Sequence, residues 1–301
     1  MQSQSAQRPN ALTVDVEDYF QVSALAPCIP RDTWDARDCR IERNLERILE
    51  LFDQNGAQAT FFTLGWIAER YPHAIRRIVD AGHELASHGY GHERVTDLTP
   101  AAFRSDIERA QHILEDLSGA PVRGYRAPSF SIGEGNLWAL EILREVGLEY
   151  SSSIYPVHHD HYGMPGAPRH PHRPVSAGVL ELPPATLRMG GRNLPAAGGG
   201  YFRLLPYALS RRALRRIGAV DAMPAVFYFH PWEIDPGQPR VPGLGARSRF
   251  RHYVNLHRME SRLERLLQDF RWGRMDRVFA AELATPEDPV RANGDGHVRT
   301  A

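Results

Sequence analysis

The stretch ASHGYGH sets two imidazoles, His88 and His92, four residues apart with glycines between them. On its own the pair is compatible with a polar surface turn. Three other stretches carry groups of matching chemistry: DVED supplies Asp15, Glu17 and Asp18, YRAP supplies Arg126, and FHPWE supplies His230. Two histidines and one carboxylate are a common divalent-metal set that leaves coordination positions open for water and substrate. A cation held there pulls the pKa of water toward neutrality. A second carboxylate can take the water's proton, and a histidine across the pocket can protonate the leaving group. An arginine beside the base keeps it ionised and oriented. Together these groups read as metal-assisted hydrolysis of an acyl bond.

Such chemistry requires elements that bring the four stretches to one place. Apolar runs of strand type occur at ALTVDV, ATFFTL, HELAS, VRGYRAP, LEYSSSI, GVLEL and AVFYFH. Helical periodicity separates most of them, for example Ile41, Leu45, Ile48, Leu49 and Phe52 with Gly56 as a stop. A further helix opens at Thr99 and Pro100 and runs through Leu117. Strand-then-helix repetition with buried-type strands means a parallel sheet, and seven such strands favour a barrel. Residues 155–178 and 183–203 break the rhythm and read as long loops. The expected organisation is one barrel domain over 11–284, with a C-terminal helical extension, and a polar tail over 285–301. In parallel α/β sheets, ligands collect beyond the carboxyl ends of the strands. The DVED acids, the histidine pair, Arg126 and His230 all follow such ends. Singly each has an ordinary reading as a loop acid, a surface arginine or a packing histidine; at four matching positions they read as one pocket.

The chain balances 36 Lys and Arg against 36 Asp and Glu, which gives no electrostatic reason to expect a nucleic-acid partner. The arginines between Arg240 and Arg277 read as a solvated helix face. Cys28 and Cys39 lack the paired short spacing of a zinc knuckle, and two reduced thiols suit a cytoplasmic protein. The N-terminus has no basic region followed by an apolar run. No apolar stretch reaches the ~18 residues that a spanning helix needs. The expectation is a cytoplasmic protein, with peripheral attachment to the inner membrane as an option.

TVDVED, SHGYGH, YRAPSF and YFHPWE, in that order, resemble the polysaccharide deacetylases of carbohydrate esterase family 4, the NodB-homology domain. LTVDVEDYFQV, GGGYFRLLPY and YFHPWEID look like the exosortase-associated deacetylases of bacterial exopolysaccharide loci. The resemblance covers Ala11 to Arg277 and implies a distorted (β/α)7 barrel. It implies removal of N-acetyl groups from amino sugars of an exopolysaccharide, or of its lipid-linked precursor, with a divalent metal, Zn2+ foremost. Asp15 would be the general base, Arg126 its orienting partner, His88 and His92 metal ligands and His230 the general acid. The backbone N–H of Ser129 would join the metal in stabilising the oxyanion. The commonest family pattern has two adjacent aspartates after the first strand, and this chain departs from it. Acids at alternate strand positions face one way, which fits Asp15 as base and Glu17 as ligand; Asp18, reaching from the turn, is the other candidate ligand. Glu233 and Asp235 are candidates to brace His230, and Tyr201 and Trp232 are expected against the substrate.

Three stretches invite other readings. HELASH places His83 and His88 five apart, so they would not share a helix face as a zinc-protease pair must. HHDH, from His158 to His161, lies in a long loop and reads as a solvated rim. GGGYF lacks the lysine of a phosphate loop and reads as a sugar-facing turn. The same residues also suit a barrel that binds carbohydrate without turnover, or a ring amidohydrolase of the same superfamily. A closed pocket would favour the latter and an open groove a polymer.

Overall fold

A computed structural model of the chain describes residues 8–159, 162–175 and 178–285. Strands β1 (Asn10–Val16), β2 (Thr60–Thr63), β3 (Glu84–Ser87), β4 (Gly124–Tyr125), β5 (Tyr150–Ser151) and β6 (Leu180–Glu181) pair in succession, each parallel to the last. Next come β7 (Thr186–Met189) and β8 (Arg192–Pro195), an antiparallel hairpin outside that sheet. β9 (Val226–Phe229) returns to lie parallel against β1, and β10 (Trp272–Gly273) pairs with the first residues of β1. The main order is therefore β9-β1-β2-β3-β4-β5-β6. Between β6 and β9 no ladder forms among the described residues; a hydrogen bond from Ala185 N–H to the Val226 carbonyl, 3.0 Å, crosses the seam. The result is an α/β fold built on a curled, parallel sheet, a barrel left open along one side.

The sequence explains this curl locally. From Ala11 onward β1 is buried on both faces, as a strand packed between a barrel interior and outer helices must be. Helix Ile41–Gln54 turns Ile41, Leu45, Ile48, Leu49 and Phe52 inward. Helix Pro100–Ser118 begins where Thr99 accepts the Ala102 N–H at 3.2 Å and ends where Gly119 takes a left-handed φ of 65°. Seven parallel strands thus fall where apolar runs predict them. Residues 183–203, expected as a loop, instead contain the β7–β8 hairpin and a short helix, Gly199–Leu204. Those strands are mostly exposed and so lack an apolar run; the turn at Gly190 and Gly191, both at positive φ, is what makes the hairpin. β10 is two residues long, too short to show as a period. Cys28 and Cys39 are both free thiols. Among the described residues no helix is long and apolar enough to cross a membrane. Of the expected tail, 286–301 lie outside the described residues.

Candidate active site

The carboxyl ends of β1, β3, β4 and β9 converge. Asp15 sits within β1, and Glu17 follows one residue beyond it. His88 follows β3, and His92 returns toward it after Gly89 turns the chain at φ 73°. Glu17, His88 and His92 each offer a ligand atom, and these atoms all lie within 4.8 Å of one another. Glu17 Oε2 is 2.7 Å from His92 Nε2 yet makes no hydrogen bond, although it is buried. His88 Nδ1 is 2.7 Å from the Arg126 carbonyl and donates to it, which leaves Nε2 with its lone pair toward the cluster. Burial holds His88 down to about 4, so it stays neutral and able to ligate. Burial would raise Glu17, but His92, His230 and His88 outweigh it and hold the carboxyl at about 2. Two imidazoles, an ionised carboxylate and an orphaned buried oxygen fit a divalent cation.

Beside this trio lies Asp15 with its arginine. Arg126 is fully buried. Its Nη1 donates to Asp15 Oδ1 at 2.5 Å and to Thr13 Oγ1 at 2.8 Å, while Nε and Nη2 reach the carbonyl and hydroxyl of Ser152. The other Asp15 oxygen, Oδ2, is 3.8 Å from His230 Nε2. His230 Nε2 is also 3.2 Å from Glu17 Oε1. On its far side His230 Nδ1 is 3.1 Å from Glu233 Oε2, and the Glu233 Oε1 accepts Arg203 Nε at 2.9 Å. Burial would lower His230, but Glu17 and Glu233 prevail and lift it to about 9. A protonated imidazole here is a ready proton donor.

The structure separates the remaining candidates. Asp18 is not with the trio: its carboxylate accepts the backbone N–H groups of Tyr19 and Arg40, so it caps a turn. Trp232, expected against substrate, is instead buried in the wall, its Nε1 donating to Glu17 Oε1 at 3.5 Å and its ring stacked between His230 at 5.2 Å and His252 at 4.3 Å. Tyr201 is half-buried on helix Gly199–Leu204 and, among the described residues, makes no hydrogen bond or ring contact with the cluster. Ser129 follows Arg126 by three residues, with φ 55° and its hydroxyl 2.7 Å from that of Ser23. Of the five non-glycine residues at positive φ among the described residues, three are His92, Ser129 and Phe130, so backbone strain concentrates in the loops that follow β3 and β4. The first two residues of the glycine run are packed inward, since a Cβ on Gly198 would strike Tyr228 and one on Gly199 would fall 1.9 Å from Glu233 Oε2, whereas Gly200 meets open space. His83 is buried and accepts the Ala59 N–H. His159 stacks on Tyr162 at 3.9 Å; Asp160 and His161 lie outside the described residues.

Of the two proposed braces for His230, Glu233 is in place. Asp235 instead pairs with Arg40. Spacing could have favoured Glu233, because a 3-10 turn starting at His230 brings the third residue back to it. Thr13, Ser152 and Arg203 carried no local signal. Arg203 comes from a different helix and also donates to the carbonyls of His252 and Val254.

Comparison with known proteins divides the chain in two. Residues 32–151 match the family model described as polysaccharide deacetylase. Residues 152–280 match a model described as a domain of unknown function, DUF3473. A peptidoglycan-N-acetylglucosamine deacetylase of Bacillus cereus is 34% identical over 96 residues, 32% of this chain and 35% of that one. A peptidoglycan deacetylase of Helicobacter pylori is 32% identical over 119 residues, 40% of this chain and 39% of that one. The aligned stretch thus spans little more than a third of these relatives. Among solved structures, a Mycobacterium smegmatis protein described as a polysaccharide deacetylase superposes with a TM-score of 0.58 at 20% identity, over 96% of both chains. That likeness concerns the fold. The division at 151/152 cuts through the site, since His88, His92 and Arg126 lie before it and His230, Glu233 and Arg203 after it.

Proposed function

We propose that this chain hydrolyses the N-acetyl groups of amino sugars in a polysaccharide, releasing acetate and a free amine. The observation that carries the reading is the convergence of Glu17, His88 and His92 beside an Asp15–Arg126 pair and a braced His230. The match of residues 32–151 to the polysaccharide deacetylase model supports it independently. Glu17, His88 and His92 would hold the cation, with Zn2+ the best fit to that donor set; once bound, it would polarise the acetyl carbonyl and acidify water.

In this reading each remaining group has one task. Asp15 takes the proton of the attacking water, and Arg126 occupies its other oxygen so that Oδ2 stays turned to the pocket. His230 donates a proton to the departing amine nitrogen, and Glu233 keeps that imidazole charged and oriented. The Ser129 N–H, carried on strained backbone, is the candidate donor to the oxyanion. Beside the site an open cleft of about 360 Å³ is lined by Phe130, Trp138, Tyr162 and Glu134 among others. An open cleft with the half-exposed rings of Trp138 and Tyr162 suits a polymer better than a small cyclic amide. The likeness of LTVDVEDYFQV, GGGYFRLLPY and YFHPWEID to exosortase-associated deacetylases supports an exopolysaccharide, or its precursor, as the substrate.

Acetate release from N-acetylated oligosaccharides by the purified, Zn2+-loaded protein tests the proposal. His88→Ala is expected to abolish release together with stoichiometric metal binding. Full metal occupancy with no acetate from chitin, peptidoglycan or exopolysaccharide oligomers would leave a binding protein as the better account.

A further inference from the structure

Between Glu181 and Asp221 the chain carries no acid, while Arg188, Arg192, Arg203, Arg211, Arg212, Arg215 and Arg216 all fall there, in a molecule of formal net charge +0. Only Arg203 among them is buried. Arg211 and Arg215 share Asp269 at 3.7 and 3.6 Å. Arg188 is bonded to Asn193. Arg192, Arg212 and Arg216 have no carboxylate partner among the described residues. The same stretch exposes Met189, Leu194, Leu204, Leu205, Leu209 and Val220; elsewhere among the described residues the exposed large apolar side chains reduce to Phe250. Met189 is 59% exposed, Leu209 53% and Val220 63%.

These groups are ordered. Helix Tyr207–Arg216 packs against β7 and buries Tyr207, Ser210 and Leu214. Leu209, Arg212 and Arg216 therefore share its outer stripe at i, i+3 and i+7, and Val220 follows. Arg169 ties the base of the hairpin to the end of this helical stretch, through Thr186 and Asp221. At the hairpin tip, Met189 and Arg192 pair across the Gly190–Gly191 turn. Large apolar patches left in water mark interaction sites. A soluble polyanion would neutralise the arginines and leave the apolar side chains hydrated. A two-fold contact with a second copy would set the same arginines against each other. An anionic lipid surface accepts both, with guanidinium at the headgroups and Met, Leu and Val at the acyl boundary.

We propose that the hairpin tip and the outer stripe of helix Tyr207–Arg216 form a docking face for a membrane surface rich in anionic lipid. The test is co-sedimentation of the full chain with phosphatidylcholine vesicles, with and without phosphatidylglycerol. The wild type is expected to sediment with the anionic vesicles and to be released by salt. Each arginine near such a surface corresponds to about fivefold in partitioning, so R212E/R216E should lose more than tenfold. M189S/L209S/V220S should also lose about tenfold. Urea midpoints near that of the wild type identify both as folded, since all five side chains are exposed. Failure of the wild type to bind anionic vesicles at low salt overturns the proposal. So does an apolar triple variant that binds as well as wild type, which would mark a general polyanion site, or a dimer that Leu209→Ser dissociates. The assay reads binding without turnover, so its outcome is independent of the deacetylase reading.

Discussion

Removing the guanidinium beside the candidate base gives the sharpest test of the site's electrostatics. The Arg126 guanidinium is fully buried and makes four hydrogen bonds, to Asp15 Oδ1 at 2.5 Å, Thr13 Oγ1 at 2.8 Å, Ser152 Oγ at 2.9 Å and the Ser152 carbonyl at 3.1 Å. Arg126→Met keeps most of the volume and deletes the charge. Breaking a buried ion pair from one side costs about 3–5 kcal/mol, because the abandoned carboxylate stays out of water. Each Ser152 acceptor left without a donor adds roughly 1–3 kcal/mol, less whatever water can recover. The expected destabilisation is therefore about 4 kcal/mol or more. Asp15→Asn strands the opposite charge, but Arg126 keeps its Ser152 and Thr13 partners, so that loss should be smaller. The double variant should be more stable than the two losses predict by about 2 kcal/mol, the signature of directly coupled residues. Urea melts with chelator present isolate this term from the stabilisation that a bound cation contributes. A loss below about 1 kcal/mol for Arg126→Met, or losses that simply add, would refute the claim that this pair is a dry, coupled unit.

Other perturbations probe neighbouring layers. Burial lifts the Glu181 carboxyl to about 7, and its Oε1 accepts the Ser153 and Ile154 N–H groups. A raised folded-state value means that its contribution is complete below the unfolded-state value near 4.5 and lost as pH rises through 7, so Glu181→Gln should gain on wild type by about 3 kcal/mol between pH 4.5 and 8; a flat difference in urea midpoints across that window rejects this. Glu233→Gln should leave metal content unchanged in elemental analysis and lower kcat for acetate release at least tenfold with little change in KM; an unchanged kcat would remove Glu233 from the mechanism. Chelation should abolish acetate release, and added Zn2+ should restore it in wild type but not in Glu17→Gln. Thr99→Ala, which deletes a helix cap, should cost about 1 kcal/mol by urea melts and leave activity intact.

Much of this site is legible because a parallel strand delivers its terminal side chain to a defined place. The runs before Asp15, His88, Arg126 and His230 are apolar enough to read as strands, and parallel pairing sends all four ends the same way. Spacing alone left Glu17 and Asp18 equivalent. What separates them is the backbone of Arg40, 22 residues on, whose N–H takes the Asp18 carboxylate out of contention. Position alone puts Trp232 against the substrate beside His230; His252, from a later helix, covers its other face and buries it. Arg203 shows no periodicity that marks it, because its partners are a carboxylate 30 residues away and three backbone carbonyls.

Sequence by itself therefore determined the strand-helix alternation, the end of the sheet where the chemistry gathers, and the residue types that gather there. These follow from hydrophobic period and strand polarity, which are local properties of the chain. Tertiary structure alone decided which acid joins the histidines, which aromatic ring meets solvent, and what braces His230. A side chain's burial and hydrogen-bond partners are set by groups distant in sequence, and no local pattern encodes them.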